Sequence, residues 1–167
     1  MDFILIGGAV ITIEKMTSQH LGEIIALSVG EEQQQFVGAI DDILTIINAQ
    51  IRPHVIIAGD QVVGFFLIDT IYLQTNDVAT LQSLGLRKFF IDKQHQGNGY
   101  AKQTLQLLPD YLTVTYPNYT DIFLTVNCNN ETAKNLYLKS GFQDTNALYL
   151  GGPSGPQHVM KQVYNSL

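Results

Sequence analysis

The chain has 167 residues, 46% of them hydrophobic and 14% charged, with a formal net charge of −6. That is one domain's worth of polypeptide, long enough for a real core and too apolar for a disordered segment. No apolar run reaches membrane-span length, and the net acidity argues against a nucleic-acid partner.

The start, Met1 to Val10, is apolar and carries an acid instead of bases, so no secretory signal is expected there. Residues 1–9 read as an extra strand or as an extension before the domain. Val10 to Glu14 reads as a first strand. Thr17 or Ser18 can cap a helix running through Leu21, Ile24, Ile25 and Leu27, ended by Gly30. Glu31 to Ile51 reads as one helix or two, with Phe36, Ile40, Ile43, Leu44 and Ile47 on an apolar stripe, and Pro53 as the stop. His54 to Ala58 and Val62 to Leu73 read as a hairpin turning at Gly59-Asp60-Gln61. A polar loop follows, from Gln74 to Gln82.

Leu84 to Asp92 reads as a buried strand, and it leads into Lys93-Gln94-His95-Gln96-Gly97-Asn98-Gly99-Tyr100-Ala101-Lys102. Beyond the two glycines, Ala101, Thr104, Leu105, Leu108, Tyr111 and Leu112 fall at helical spacing. Pro109 frees the Leu105 carbonyl, so a kink or early stop is expected near Leu108. Asp121 to Asn127 reads as a short strand. Asn130 caps a helix that buries Ala133, Leu136 and Tyr137, with Gly141 as its left-handed end. Phe142 to Tyr149 and His158 to Tyr164 read as strands around a loop of turn formers, Gly151 to Pro156. The order of elements gives an α+β class with a mixed sheet.

A strand, a glycine loop and a helix start make an anion site. Glycines admit a ligand close to the backbone, and the first N–H groups of a helix lack internal partners. Two glycines in a loop are usually only a turn, and neither a dinucleotide fingerprint nor a P-loop is present. A second stretch, Asn127 to Phe142, makes the signal specific. Gln96-Gly97-Asn98-Gly99-Tyr100-Ala101 resembles the acetyl-CoA loop of the GNAT superfamily of N-acetyltransferases, Q/R-x-x-G-x-G/A. The later stretch is similar to that family's N-x-x-N-x-x-A-x-x-L-Y-x-x-x-G-F pattern at every fixed position.

The resemblance implies a single GNAT domain over 1–167, with a mostly antiparallel sheet of about six to seven strands and helices on both faces. It implies acetyl-CoA as cosubstrate and direct attack by an amine. Backbone groups of Phe89, Phe90 and Ile91 would pair with the pantetheine arm. The loop Gln96, Gly97, Asn98, Gly99, Tyr100, Ala101 and Lys102 would hold the pyrophosphate, and Asn130 would touch the cofactor. Tyr137 falls where the family keeps its general acid, a phenol still protonated at neutral pH. Some relatives carry a Glu twelve residues earlier. Here that position is Thr125, which cannot take a proton at neutral pH and leaves Glu31, Glu32, His95 or water as base.

The acceptor follows from a looser likeness. Leu86 to Asp92 before a Gln-Gly-x-Gly-Tyr loop, with Gln33 to Val37, looks like the diamine and spermine/spermidine acetyltransferase branch. Residues 1–77 hold ten acids and two bases, while residues 78–167 hold five acids and seven bases. An acidic half suits a polycation, with Glu31 and Glu32 as its anchors, though it also serves as a plain solvated surface. A protein or peptide acetyltransferase and a non-catalytic acetyl-CoA sensor remain open. The four histidines, His20, His54, His95 and His158, have no metal spacing, so no metal is expected. The one cysteine, Cys128, excludes an internal disulfide and fits a reducing cytoplasm. A homodimer is left open.

Overall fold

The computed structural model describes residues 9–27, 40–74 and 76–166. Seven strands form one sheet: β1 (Ile11–Lys15), β2 (Ile51–Ala58), β3 (Gln61–Asp69), β4 (Ser83–Ile91), β5 (Asp121–Asn127), β6 (Gln143–Tyr149) and β7 (Gln157–Val163). Among the described residues, four α-helices join them: α1 (Leu21–Ile25), α2 (Ile40–Thr45), α3 (Tyr100–Thr115) and α4 (Glu131–Lys139). The strand order is β1-β2-β3-β4-β5-β7-β6, and only the β4–β5 neighbours run parallel. This is the α+β architecture that the motifs imply.

The sheet buries both faces because apolar residues run almost unbroken along its central strands, successive ones facing opposite sides. Phe66 and Ile68 of β3 join Leu84 of β4 and Leu124 of β5 on one face. That face receives Leu105, Leu108 and Leu112 of α3, with Leu136 and Tyr137 of α4 packed half-buried beside them. The intervening Phe65 and Leu67 turn the other way, with Phe90, and meet Ile24 of α1 and Ile43 of α2. Further along that second face, Tyr72, Phe123 and Val159 form a smaller cluster.

A buried histidine ties α3 to the sheet. His54 of β2 is fully buried and stacks on Phe66 at 5.0 Å. Its ring nitrogens bond to the hydroxyls of Tyr111 (2.7 Å) and Tyr116 (3.1 Å) at the end of α3. Burial, aided by Lys15 and Arg52, lowers its pKa to about 3, so it folds as the neutral ring. One nitrogen then donates and the other accepts.

Four expectations need correction. The helix expected from Glu31 to Ile51 is described only as α2, which stops at Thr45; Gly30 and Phe36 lie outside the described residues. Pro53 is no helix stop, since it sits inside β2 opposite Leu67. In an antiparallel strand one residue's N–H and C=O point to the same neighbour. The Pro53 carbonyl accepts from Met16, just past the end of β1, so its missing N–H costs no bond to β3. Pro109 does not end its helix either: α3 runs on to Thr115. The lost bond is one among many, while Leu105, Leu108 and Leu112 on both sides of Pro109 are held in the core. The second hairpin strand also ends early, at Asp69, whose carboxylate accepts from the Ile71 N–H and starts a turn.

Candidate active site

The sheet is closed at one end of β4 and β5 and open at the other. The two strands pair only over Ser83–Gly85 and Asp121–Phe123. Beyond that they part, and a cleft of about 1170 Å³ opens between them. Tyr72 marks the closed end. Its ring stacks on Phe123 at 6.1 Å and lies against Gly85, where a Cβ would collide with it.

The β4 wall carries a bulge. Phe65 pairs with Phe90 and Leu67 with Arg87, so Lys88 and Phe89 together oppose Phe66. Lys88 takes the strain, with φ at 56° in the left-handed region. Sequence patterning gives no sign of this, because nothing marks lysine for a left-handed site. The bulge turns Phe89 toward Tyr137, with ring centroids 6.4 Å apart, while Phe90 goes to the opposite face. Arg87 pairs with the buried Asp69 at 3.4 Å. Burial holds the Lys88 ammonium below the usual lysine range; Arg87 adds to this and Asp42 of α2 opposes it.

The glycine loop closes the open end. A 3-10 turn over Lys93–His95 leads to Gly97 (φ 85°) and Gly99 (φ 75°), and Gly99 is the N-cap of α3. A Cβ on Gly97 would meet nothing within 4 Å, and one on Gly99 only the Gln103 amide at 3.9 Å. The left-handed conformations require glycine, and the space beside them is empty of protein. Side chains brace the loop from behind. Gln96 Nε2 donates to the Ile91 carbonyl (3.0 Å), and Asn98 Nδ2 to that of His95 (2.9 Å). His95 Nδ1 lies 2.9 Å from Asp92 Oδ2, and Nε2 lies 3.3 Å from Gln61 Oε1. With both nitrogens engaged, His95 belongs to the loop's framework and is a poor choice for the base.

The motif residues therefore gather at one place. Phe89, Phe90, Ile91, Gln96, Gly97, Gly99, Tyr100, Ala101, Lys102, Asn130 and Tyr137 all line the cleft, whereas Asn98 braces the loop. Asn130 caps α4 by accepting from Ala133 N–H at 3.2 Å and faces the cleft as well. Tyr137 is half-buried and also touches Phe142 at 5.7 Å; burial raises its phenol pKa. Glu31 and Glu32 lie outside the described residues. Thr125 lines the cleft from β5.

The sequence reading missed one wall. Tyr149 and the loop from Gly151 to Ser154 line the cleft from its far side. Asn127 Nδ2 donates to the Ser154 carbonyl (2.6 Å), and Cys128 N–H to that of Pro156 (3.0 Å), which ties this loop to the end of β5. Its turn formers revealed a loop but not where it folds.

The fold and cleft agree with comparisons to known proteins. The model of the acetyltransferase (GNAT) domain family matches residues 51–144. The uncharacterized N-acetyltransferase YbbJ of Bacillus subtilis strain 168 is 32% identical over 148 residues, covering 85% of this chain and 90% of that protein. A probable spermine N(1)-acetyltransferase of Bacillus subtilis subsp. natto is 39% identical over 67 residues, 40% of this chain and 43% of that one. In structure, the aminoglycoside acetyltransferase AAC(6')-Ib with coenzyme A superimposes with a TM-score of 0.74 at 18% identity, over 92% of this chain and 95% of that one. The chain belongs to the GNAT family of acetyl-CoA-dependent N-acetyltransferases.

Proposed function

We propose that this chain acetylates a small polyamine, with acetyl-CoA threaded through the β4–β5 cleft. The observation that carries the transfer is the parting of the sheet. Past Gly85 the edge of β4 that faces β5 is unpaired, and the glycine loop lies at its end. An extended pantetheine arm fits the place of the missing strand, pairing with backbone of Phe89 to Ile91. The N–H groups of Gly97 to Lys102 then face the pyrophosphate at the start of α3. A backbone N–H at the Lys88–Phe89 bulge polarises the thioester oxygen. The amine attacks the carbonyl carbon, the C–S bond breaks, and the thiolate takes its proton from the Tyr137 hydroxyl.

The polyamine part is supported by the acid excess of residues 1–77 and by the partial likeness to the probable spermine N(1)-acetyltransferase of Bacillus subtilis subsp. natto. Among the described residues the cleft wall carries no carboxylate. Asp69 is already paired with Arg87, and the carboxylates assigned to the substrate's ammonium groups are Glu31 and Glu32. Acetyl-CoA-dependent thiol release across spermidine, spermine, putrescine, kanamycin and a lysine peptide tests this. Polyamine turnover is expected. Glu31→Gln with Glu32→Gln should raise the KM for spermidine roughly tenfold, about 1.4 kcal/mol, and less at high salt. Turnover of kanamycin or the peptide alone would replace the polyamine and keep the acetyl transfer.

A further inference from the structure

We propose that Lys88 is the proton acceptor of the reaction, receiving the amine's proton on the sheet face opposite Tyr137. This rests on the acetyl-transfer reading above. The cleft passes between β4 and β5, so it opens on both faces of the sheet. Tyr137 packs with the cluster around Phe66 and Leu124, on the α3 and α4 side. Lys88 lines the same cleft, and its electrostatic neighbours are Arg87 and, from α2, Asp42. Helix α2 packs on the opposite face, through Ile43 against Phe65 and Leu67. A thioester held at the bulge thus has the phenol on one side and the lysine amine on the other. The amine adds to one face of the planar carbonyl and the sulfur departs from another position on the same carbon, so a proton acceptor beside the amine and a donor beside the sulfur act on different atoms.

Among the described residues the other candidates are weaker. His95 has both nitrogens bonded, and Thr125 has no basic group. Lys88 is half-buried, and desolvation favours its neutral form, helped by Arg87 and opposed by Asp42; the Arg87 charge is itself matched by Asp69. An alkylamine substrate is neutral in only about one molecule in 10³ at pH 7. In its neutral form Lys88 takes a proton from the bound ammonium, and the freed amine adds to the carbonyl carbon. The tetrahedral intermediate loses its second nitrogen-bound proton to water and collapses with cleavage of the C–S bond, and the thiolate takes a proton from Tyr137. Lys88 then releases its proton to solvent and Tyr137 regains one, so amine and acetyl-CoA yield amide and free thiol.

Lys88→Met and Lys88→Arg, assayed with acetyl-CoA and the amine panel above, test this. Both should lower kcat at pH 7 by at least about tenfold, because arginine keeps the charge but cannot accept a proton. The deficit should narrow at pH 10, where bulk solvent supplies neutral amine, while calorimetric affinity for CoA stays unchanged. Lys88→Arg within about twofold of wild type would overturn the proposal in favour of a simple charge effect. A deficit equal at both pH values would reduce Lys88 to a packing role at the bulge. One readout needs no variant: the acid limb of wild-type kcat should hold its position across acceptors of different basicity. A limb that follows each acceptor's own pKa overturns the assignment. Wild-type protein that acetylates no amine in the panel refutes the parent reading along with this one.

Discussion

Two glycine-bearing loops border the cleft, and they use glycine for opposite reasons. In the loop before α3, Gly97 and Gly99 adopt left-handed φ values, and the space where a Cβ would stand is open. At Gly151 and Gly152, in the loop between β6 and β7, that space is filled by the protein itself, whereas Gly155 at the far end of the loop is left-handed and open. A Cβ on Gly151 would stand 2.7 Å from the Tyr149 hydroxyl, and one on Gly152 would collide with the Gln157 amide. Tyr149 and Gln157 both line the cleft. The first loop keeps room for something outside the chain. The second lets two side chains of the chain reach into the site. Composition alone would class the two together; only the surroundings of each glycine separate a ligand cradle from a packing device.

The strongest test holds both loops constant. Tyr137 lines the cleft that they border, and Tyr137→Phe keeps the ring contacts with Phe89 and Phe142 while removing the proton. Its kcat should fall roughly 10²-fold with the KM for acetyl-CoA little changed. A kcat within about twofold of wild type would hand the acid role to solvent.

Acid probes the scaffold under both loops. Neutral His54 has its folded pKa depressed to about 3 against an ordinary 6.5, so its contribution is complete above pH 6.5 and is lost as pH falls toward 3. Denaturation at pH 7 and pH 5 should differ by about 2 kcal/mol from this group. Substituting His54→Gln should flatten that part of the profile. An unchanged slope would remove His54 as the anchor of α3.

Gly99→Val comes next. A branched side chain enters the space kept for the pyrophosphate, and CoA affinity should drop at least tenfold, about 1.4 kcal/mol. The left-handed backbone adds a modest stability loss, but the loop is exposed and the fold should persist. Titration calorimetry on the folded variant checks both. The smallest effect is expected at the other loop. Gly151→Ala should push Tyr149 aside and raise the acceptor's KM roughly threefold without altering the KM for acetyl-CoA. An acetyl-CoA effect of the same size would mean that the two loops share one function.

Much of the site was legible in the chain. A strand, two glycines and a helical period predict a loop at a helix N-terminus, because φ preference and amphipathic spacing are local properties. The paired motifs identify the family, and the Asn130 cap follows from side-chain chemistry three residues ahead of Ala133. Even the alternation that sends Phe65 and Phe66 to opposite faces is a period-two property of a strand.

What the local signal could not carry was decided by partners distant in sequence. Pro53 and Pro109 read as breakers, yet one lies where β1 has ended and the other is overruled by a buried leucine face. The left-handed Lys88 exists because two residues of β4 must oppose one of β3, a register set across the sheet. The cleft itself is the gap left when β4 and β5 pair for three residues and then diverge. The placement of Tyr149 and its loop depends on Asn127 and Cys128 reaching Ser154 and Pro156, more than twenty residues away. Local propensity fixes which elements form. Register, divergence and long-range hydrogen bonds decide where the empty space lies, and that space is where the chemistry takes place.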